Sequence, residues 1–119
     1  MLKMLDIGVD KAVAFRFGGK ITEEEMSLAL SAVKEKIKIH GEVFLYEEIE
    51  SIGGAEFDAI IEKIKFLHEV GISKMKKMAV VTDKKWMHKI IELEDKLFKS
   101  IEMKCFLFDE KENAVEFLK

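Results

Sequence analysis

The chain has no proline and only one cysteine, one tryptophan and one tyrosine among its 119 residues. Without proline there is no proline-rich linker, and no low-complexity segment or repeat stands out. The lone Cys105 excludes an intramolecular disulfide and any cysteine-rich zinc site. That usage fits a reducing cytoplasm, which is the expected location. No apolar run approaches the roughly 20 residues of a membrane span. No charged segment followed by an apolar stretch marks a secretory signal. Acids and bases are interleaved, with a formal net charge of −3. This is not the basic footprint of a nucleic-acid binder.

What is present reads as a globular protein. Hydrophobic residues make up 49% and charged residues 36%. Disordered chains lack that balance. A chain of this length buries roughly two-thirds of its unfolded surface, so it needs no disulfide or metal staple. One domain covering residues 1–119 is expected. The seven glycines act as punctuation: Gly8, Gly18-Gly19, Gly41, Gly53-Gly54 and Gly71.

Between these marks the elements follow in order. "MLKMLDI" and "KAVAFRF" are short β-like runs split by "GVD", a hairpin. Thr22 with Glu25 forms a capping box for a helix that reaches about His40 and stops at Gly41. "EVFLYEEI" is a strand, and a second helix runs from Gly53-Gly54 to about Val70. "KKMAVVT" is a strand, after which Asp83 caps a third helix to about Lys99. "EMKCFLF" is the last strand. Asp109 and Glu112 read as a second capping box, opening a short C-terminal helix. The order is ββαβαβαβα, which argues for an α/β sheet with parallel crossovers. "MAVV" and "CFLF" are nearly apolar on both faces, as interior strands are.

Each long helix carries more apolar surface than one stripe. In the first, Met26, Leu30, Val33 and Ile37 form one stripe, with Leu28, Ala32 and Ile39 beside it. In the second, Phe57, Ile60, Ile61, Ile64 and Leu67 are set against Ala55, Ala59, Phe66 and Val70. In the third, Trp86, Ile90, Leu93 and Leu97 are set against Met87, Ile91 and Phe98. A helix on a sheet needs one stripe. The second stripes pack helix on helix, form an oligomer interface, or line an apolar groove.

The usual catalytic signatures are missing. There is no GxGxxG, no GxxxxGK[ST] and no Gly-x-Ser-x-Gly. His40, His68 and His88 fall in three different elements without HExxH spacing, so no metal site is expected. Cys105, inside an apolar strand, reads as an inert core thiol. Glu94 lies inside the apolar arc of the third helix, where a raised pKa would suit acid–base work; the structural reading is a carboxylate reaching a lysine at an edge. His68 reads as a partly buried histidine near a helix end, with a ligand or pH role as the functional alternative. Glu47 and Glu48, with Glu50 beyond, read as a solvated rim rather than a paired-carboxylate site. Lys74, Lys76, Lys77, Lys84, Lys85 and Lys89 flank one strand, a basic cluster that could meet anionic headgroups or simply face solvent. No cofactor is implied, and the protein is not expected to be an enzyme.

The ordered set "GGKITEEEM", "EVFLYEEI" followed by a glycine and an Ala-Glu-Phe helix, "KKMAVVTDKKWMHK" and "FDEKENAVEFL" resembles the SpoIIAA-like family over almost the whole chain. The resemblance implies a SpoIIAA/STAS-like mixed β-sheet with packed helices and a non-enzymatic role. It suggests a binding module for an apolar or lipid-like ligand or a protein partner, with homodimers expected and peripheral membrane contact possible. The alternative it implies is a STAS-type regulator, similar to anti-sigma factor antagonists, acting through protein contacts and phosphorylation. The antagonists carry a phosphorylated serine where this chain has Ile52; Ser51, one place earlier, is the candidate phosphosite. The second stripes offer Phe66, Val70, Met87, Ile91 and Phe98 as the candidate ligand lining.

Overall fold

A computed structural model describes residues 1–50, 74–83, 85 and 101–119. Within them five strands form one sheet in the order β1-β2-β3-β4-β5. The strands are β1 (Leu2–Leu5), β2 (Ala12–Phe17), β3 (Val43–Ile49), β4 (Met75–Val81) and β5 (Glu102–Phe106). β1 runs antiparallel to β2, and every later neighbour is parallel. This is the mixed α/β sheet expected from the sequence. The second and third helices of the sequence reading lie outside the described residues.

The hairpin turns through Asp6–Lys11. The Asp6 carboxylate accepts from the Gly8 amide at 2.9 Å. Gly8 takes a positive φ of 75°, a value that L side chains resist. Helix α1 (Glu23–His40) begins as its sequence signals. The Thr22 hydroxyl accepts from the Glu25 amide at 3.1 Å, and the Glu25 carboxylate accepts from the Thr22 amide at 3.0 Å. Two orphan amides are thereby satisfied reciprocally. The Glu25 carboxylate also accepts from the Leu2 amide at 2.6 Å, tying the helix start to β1. These amides, that of Thr22 foremost, hold its pKa below the usual value. Gly41 ends α1 in the left-handed region, with φ 78°, as a helix-stopping glycine does. Its amide donates to the Ile37 carbonyl at 2.8 Å.

α1 lies on one face of the sheet. Val33 packs among Val13, Phe15, Leu45, Met78 and Val80, with Met26, Leu30 and Ile37 at the margin. The second stripe of α1 divides. Ala32 joins that core, whereas Leu28 and Ile39 are each 63% exposed. The opposite face is covered by the C-terminal helix (Lys111–Leu118), whose Ala114 and Leu118 pack on Ala12, Ala14, Tyr46, Ala79, Val81 and Phe106.

Two local expectations are corrected. β5 stands at the edge of the described sheet, not inside it. Its apolar character comes from cover on both faces, Met103 toward the α1 side and Phe106 toward the C-terminal helix. The Asp109–Glu112 capping box does not form. A short 3₁₀ turn (Phe108–Glu110) precedes the helix, the tighter winding common at helix ends. It is Glu110 whose carboxylate accepts from the Leu107 amide, at 2.8 Å.

Candidate functional site

The four parallel strands end together at one edge of the sheet. In α/β proteins ligands commonly bind outside this carboxyl edge. Here it carries Arg16, Tyr46, Glu47, Glu48, Glu50 and Thr82. The sequence reading placed Glu47 and Glu48 on a solvated rim. The structure overturns this: they are 3% and 4% exposed. β3 is central in the sheet, and both its faces are covered up to its last residue, by the α1-side core at Leu45 and Ile49 and by the C-terminal-helix side at Tyr46.

Adjacent residues of a strand point to opposite faces, so the two glutamates meet different surroundings. Glu48 faces the C-terminal helix, on the side of Tyr46. It pairs in register with Arg16 of β2. Arg16 Nε and Nη2 donate to Glu48 Oε1 at 3.0 and 2.9 Å, and the Tyr46 hydroxyl donates to Oε2 at 2.8 Å. Lys111, the first residue of the C-terminal helix, brings its ammonium to 3.3 Å from the same Oε1. Burial works to raise the Glu48 pKa, but the bonds from Tyr46, Arg16 and Lys111 together outweigh it and hold the carboxyl below its usual value. Burial, then the neighbouring carboxylate, pushes the Tyr46 phenol up, so it stays a donor. Glu50 adds a second acid 3.8 Å from Arg16. It lies across Gly18, where a Cβ would sit 3.1 Å from the Glu50 Cβ; glycine permits that approach.

Glu47 faces the α1 side, flanked in register by Phe15 and Val80. Burial alone raises its pKa to about 8. At neutral pH it is therefore mostly a protonated acid. Thr82 follows β4, its amide bonded to the Phe106 carbonyl at 2.9 Å. It is fully buried, and its Oγ1 has no hydrogen-bond partner among the described residues.

The Glu48 cluster has an electrostatic role. Two acids and two bases compensate one another and join β2, β3 and the C-terminal helix. Sequence reading missed the cluster, although its signal was present: Tyr46 and Glu48 share a face, and Arg16 holds the matching place near the end of β2.

Lys77 leaves the supposed basic cluster. It is half-buried and donates to the Phe117 carbonyl at 3.2 Å. Its ammonium stands 5.6 Å from the Phe44 ring centre and 5.5 Å from that of Phe117, within cation–π range of both. Lys74, Lys76 and Lys85 are exposed. Cys105 is half-buried at the margin of the α1-side core. The candidate lining Phe66, Val70, Met87, Ile91 and Phe98, the candidate phosphosite Ser51, and Glu94, His68, Trp86, Lys84 and Lys89 all lie outside the described residues. Among the described residues no three His, Cys, Asp or Glu side chains converge as a metal site, and no helix is long and apolar enough to cross a membrane.

The described sheet, with α1 on one face and a terminal helix on the other, defines a mixed α/β protein, as a SpoIIAA/STAS-like fold has. Comparison with protein families gives the narrower placement. The SpoIIAA-like family matches over residues 12–119, and the chain belongs to that family. No curated protein and no solved structure matches the chain.

Proposed function

We propose that this protein is a non-catalytic binding module that acts by contact with a protein partner, as a regulatory domain of the anti-sigma factor antagonist type. Family membership supports the regulatory class. The observation that carries the contact reading is the outer face of α1. Leu28 and Ile39 stand 63% exposed on a helix whose core-facing stripe is already complete. Large apolar side chains on the same exposed side of a helix, about three turns apart, suit an interface. The charged cluster at the carboxyl edge supports the same reading, because its acids and bases are engaged with one another. A single domain spanning residues 1–119, working as a homodimer in the cytoplasm, completes the proposal.

The test is native mass spectrometry of the protein as purified, followed by organic extraction. A mass free of small molecules is the expected result. A co-purifying lipid or other apolar molecule would replace this reading with ligand binding, for which Phe66, Val70, Met87, Ile91 and Phe98 are the proposed lining. The same spectra test regulation at Ser51: a phosphoryl increment lost in Ser51→Ala supports a phosphorylated switch.

A further inference from the structure

The exposed face of α1 has a pattern that fits one occupant in particular. Glu24, Leu28, Ser31, Glu35 and Lys38 follow a 4-3-4-3 spacing, the line along which two helices pack side by side. All five are exposed, as are the neighbouring Glu23, Ser27, Lys34 and Ile39. The line is acidic at Glu24, small at Ser31 with Ser27 beside it, and basic at Lys38. Acids in a first turn and bases in a last turn also suit the helix dipole, so charge alone says little. The dipole does not explain Leu28 and Ile39, each 63% exposed on the same side of the helix.

We infer that α1 pairs antiparallel with α1 of a second copy of this chain, about a two-fold axis at Ser31. An isologous interface must complement itself, and this face does. With Ser31 on the axis, Glu24 stands opposite the partner's Lys38, and its own Lys38 stands opposite the partner's Glu24. Leu28 lies along the aliphatic stem of the partner's Lys34. Ser27 reaches the partner's Glu35, and Ile39 covers the rim beside the partner's Glu23. The small side chain of Ser31 lets the two backbones approach. Antiparallel pairing also sets each helix start against the other's end, so the dipoles attract. Nearby charges do not compete: Lys36 donates to the Asp10 carbonyl, and Lys11 is paired with Glu42 at 2.8 Å. One helix pair buries less than a stable interface needs, so the dimer is weak and concentration-dependent. The inference rests on the reading of this face as a contact surface.

Sedimentation velocity across a concentration series, with cysteine cross-linking, tests it. Lys38→Glu and Glu24→Lys are each expected to weaken dimerisation roughly tenfold, since each turns two symmetric attractions into repulsions. The double reversal is expected to restore it. Ser31→Cys is expected to form a disulfide-linked dimer under mild oxidation, because residues on the axis come within disulfide reach. Lys34→Cys, off the axis, and the parent chain with Cys105 alone are expected to cross-link far more slowly. A monomer at every concentration overturns the inference, as does a dimer indifferent to the single reversals or equal cross-linking at residues 31 and 34. A co-purifying lipid on a dimer that still obeys the charge reversals would sink the proposed function and leave this pairing standing.

Discussion

Arg16 and Glu48 stand opposite each other on neighbouring parallel strands, and two guanidinium N–H groups converge on one buried carboxylate oxygen. Tyr46 holds the other oxygen at 2.8 Å. A buried carboxylate is tolerated only while its acceptors are filled. Tyr46→Phe keeps the ring and removes one donor to an ionised group, so it is expected to cost about 1.5–3 kcal/mol. Urea unfolding measures this. An unchanged midpoint would show that the hydroxyl contributes nothing there. Arg16→Met is expected to destabilise as well, since it leaves Lys111 to compensate Glu48.

The pH profile follows from carboxyls shifted in opposite directions. Glu47 rises from 4.5 to about 8 on folding. Between those values the folded state holds a proton that the unfolded chain has released. Stability therefore falls as pH rises from about 5 to 8, by a few kcal/mol at most. Glu25, Glu42 and Glu48 are shifted down from 4.5. Their contributions are present above that ordinary value and are lost as pH falls through their folded values. The melting temperature is expected to peak near pH 5. Glu47→Gln is expected to raise it at pH 8, with the gain shrinking as pH falls toward 5 and gone below it. An equal gain at every pH would remove Glu47 as the source.

Thr82 carries a buried hydroxyl without a partner among the described residues. A desolvated polar group left unpaired costs about 1–3 kcal/mol. Thr82→Val keeps the shape and deletes that cost, so stability is expected to rise by about 1 kcal/mol. Thermal denaturation decides; a clear loss would mean the hydroxyl is satisfied in solution.

The two ends of α1 are expected to contribute separately. Thr22→Ala removes the cap and should cost about 0.5–2 kcal/mol. Gly41→Ala places a Cβ in the left-handed region and should cost about 1–2 kcal/mol. Helical circular dichroism during denaturation measures both, and the double variant should lose their sum because the sites are far apart.

The faces of α1 are expected to differ sharply. Val33 is 3% exposed in the core. Val33→Ala should cost about 1–3 kcal/mol. Leu28→Ala, on the outer face, should change the stability of dilute protein by less than about 0.5 kcal/mol. Similar losses at both positions would mean that Leu28 is covered within the monomer.

Much of this protein is local in origin. The Thr22–Glu25 box, the stop at Gly41 and the turn at Gly8 depend on contacts a few residues apart, and the strands show in a local apolar pattern although their pairing is long-range, so all were legible in sequence. The core-facing stripe of α1 was legible for the same reason. Three features were not. Glu47 and Glu48 look alike as neighbours in sequence, but β3 is flanked by β2 and β4 and both its faces are covered. One glutamate therefore meets Arg16, Lys111 and Tyr46, and the other meets Phe15 and Val80. Lys77 belongs to a run of lysines, yet Phe117, forty positions away, takes its ammonium out of that run. β5 has the composition of an interior strand and stands at an edge of the described sheet, because composition reports how many faces are covered and not how many neighbours a strand has. Sequence by itself determined which of the described strands and α-helices form. Only the tertiary structure decided which polar groups lost their water, because desolvation depends on what the rest of the chain lays over them.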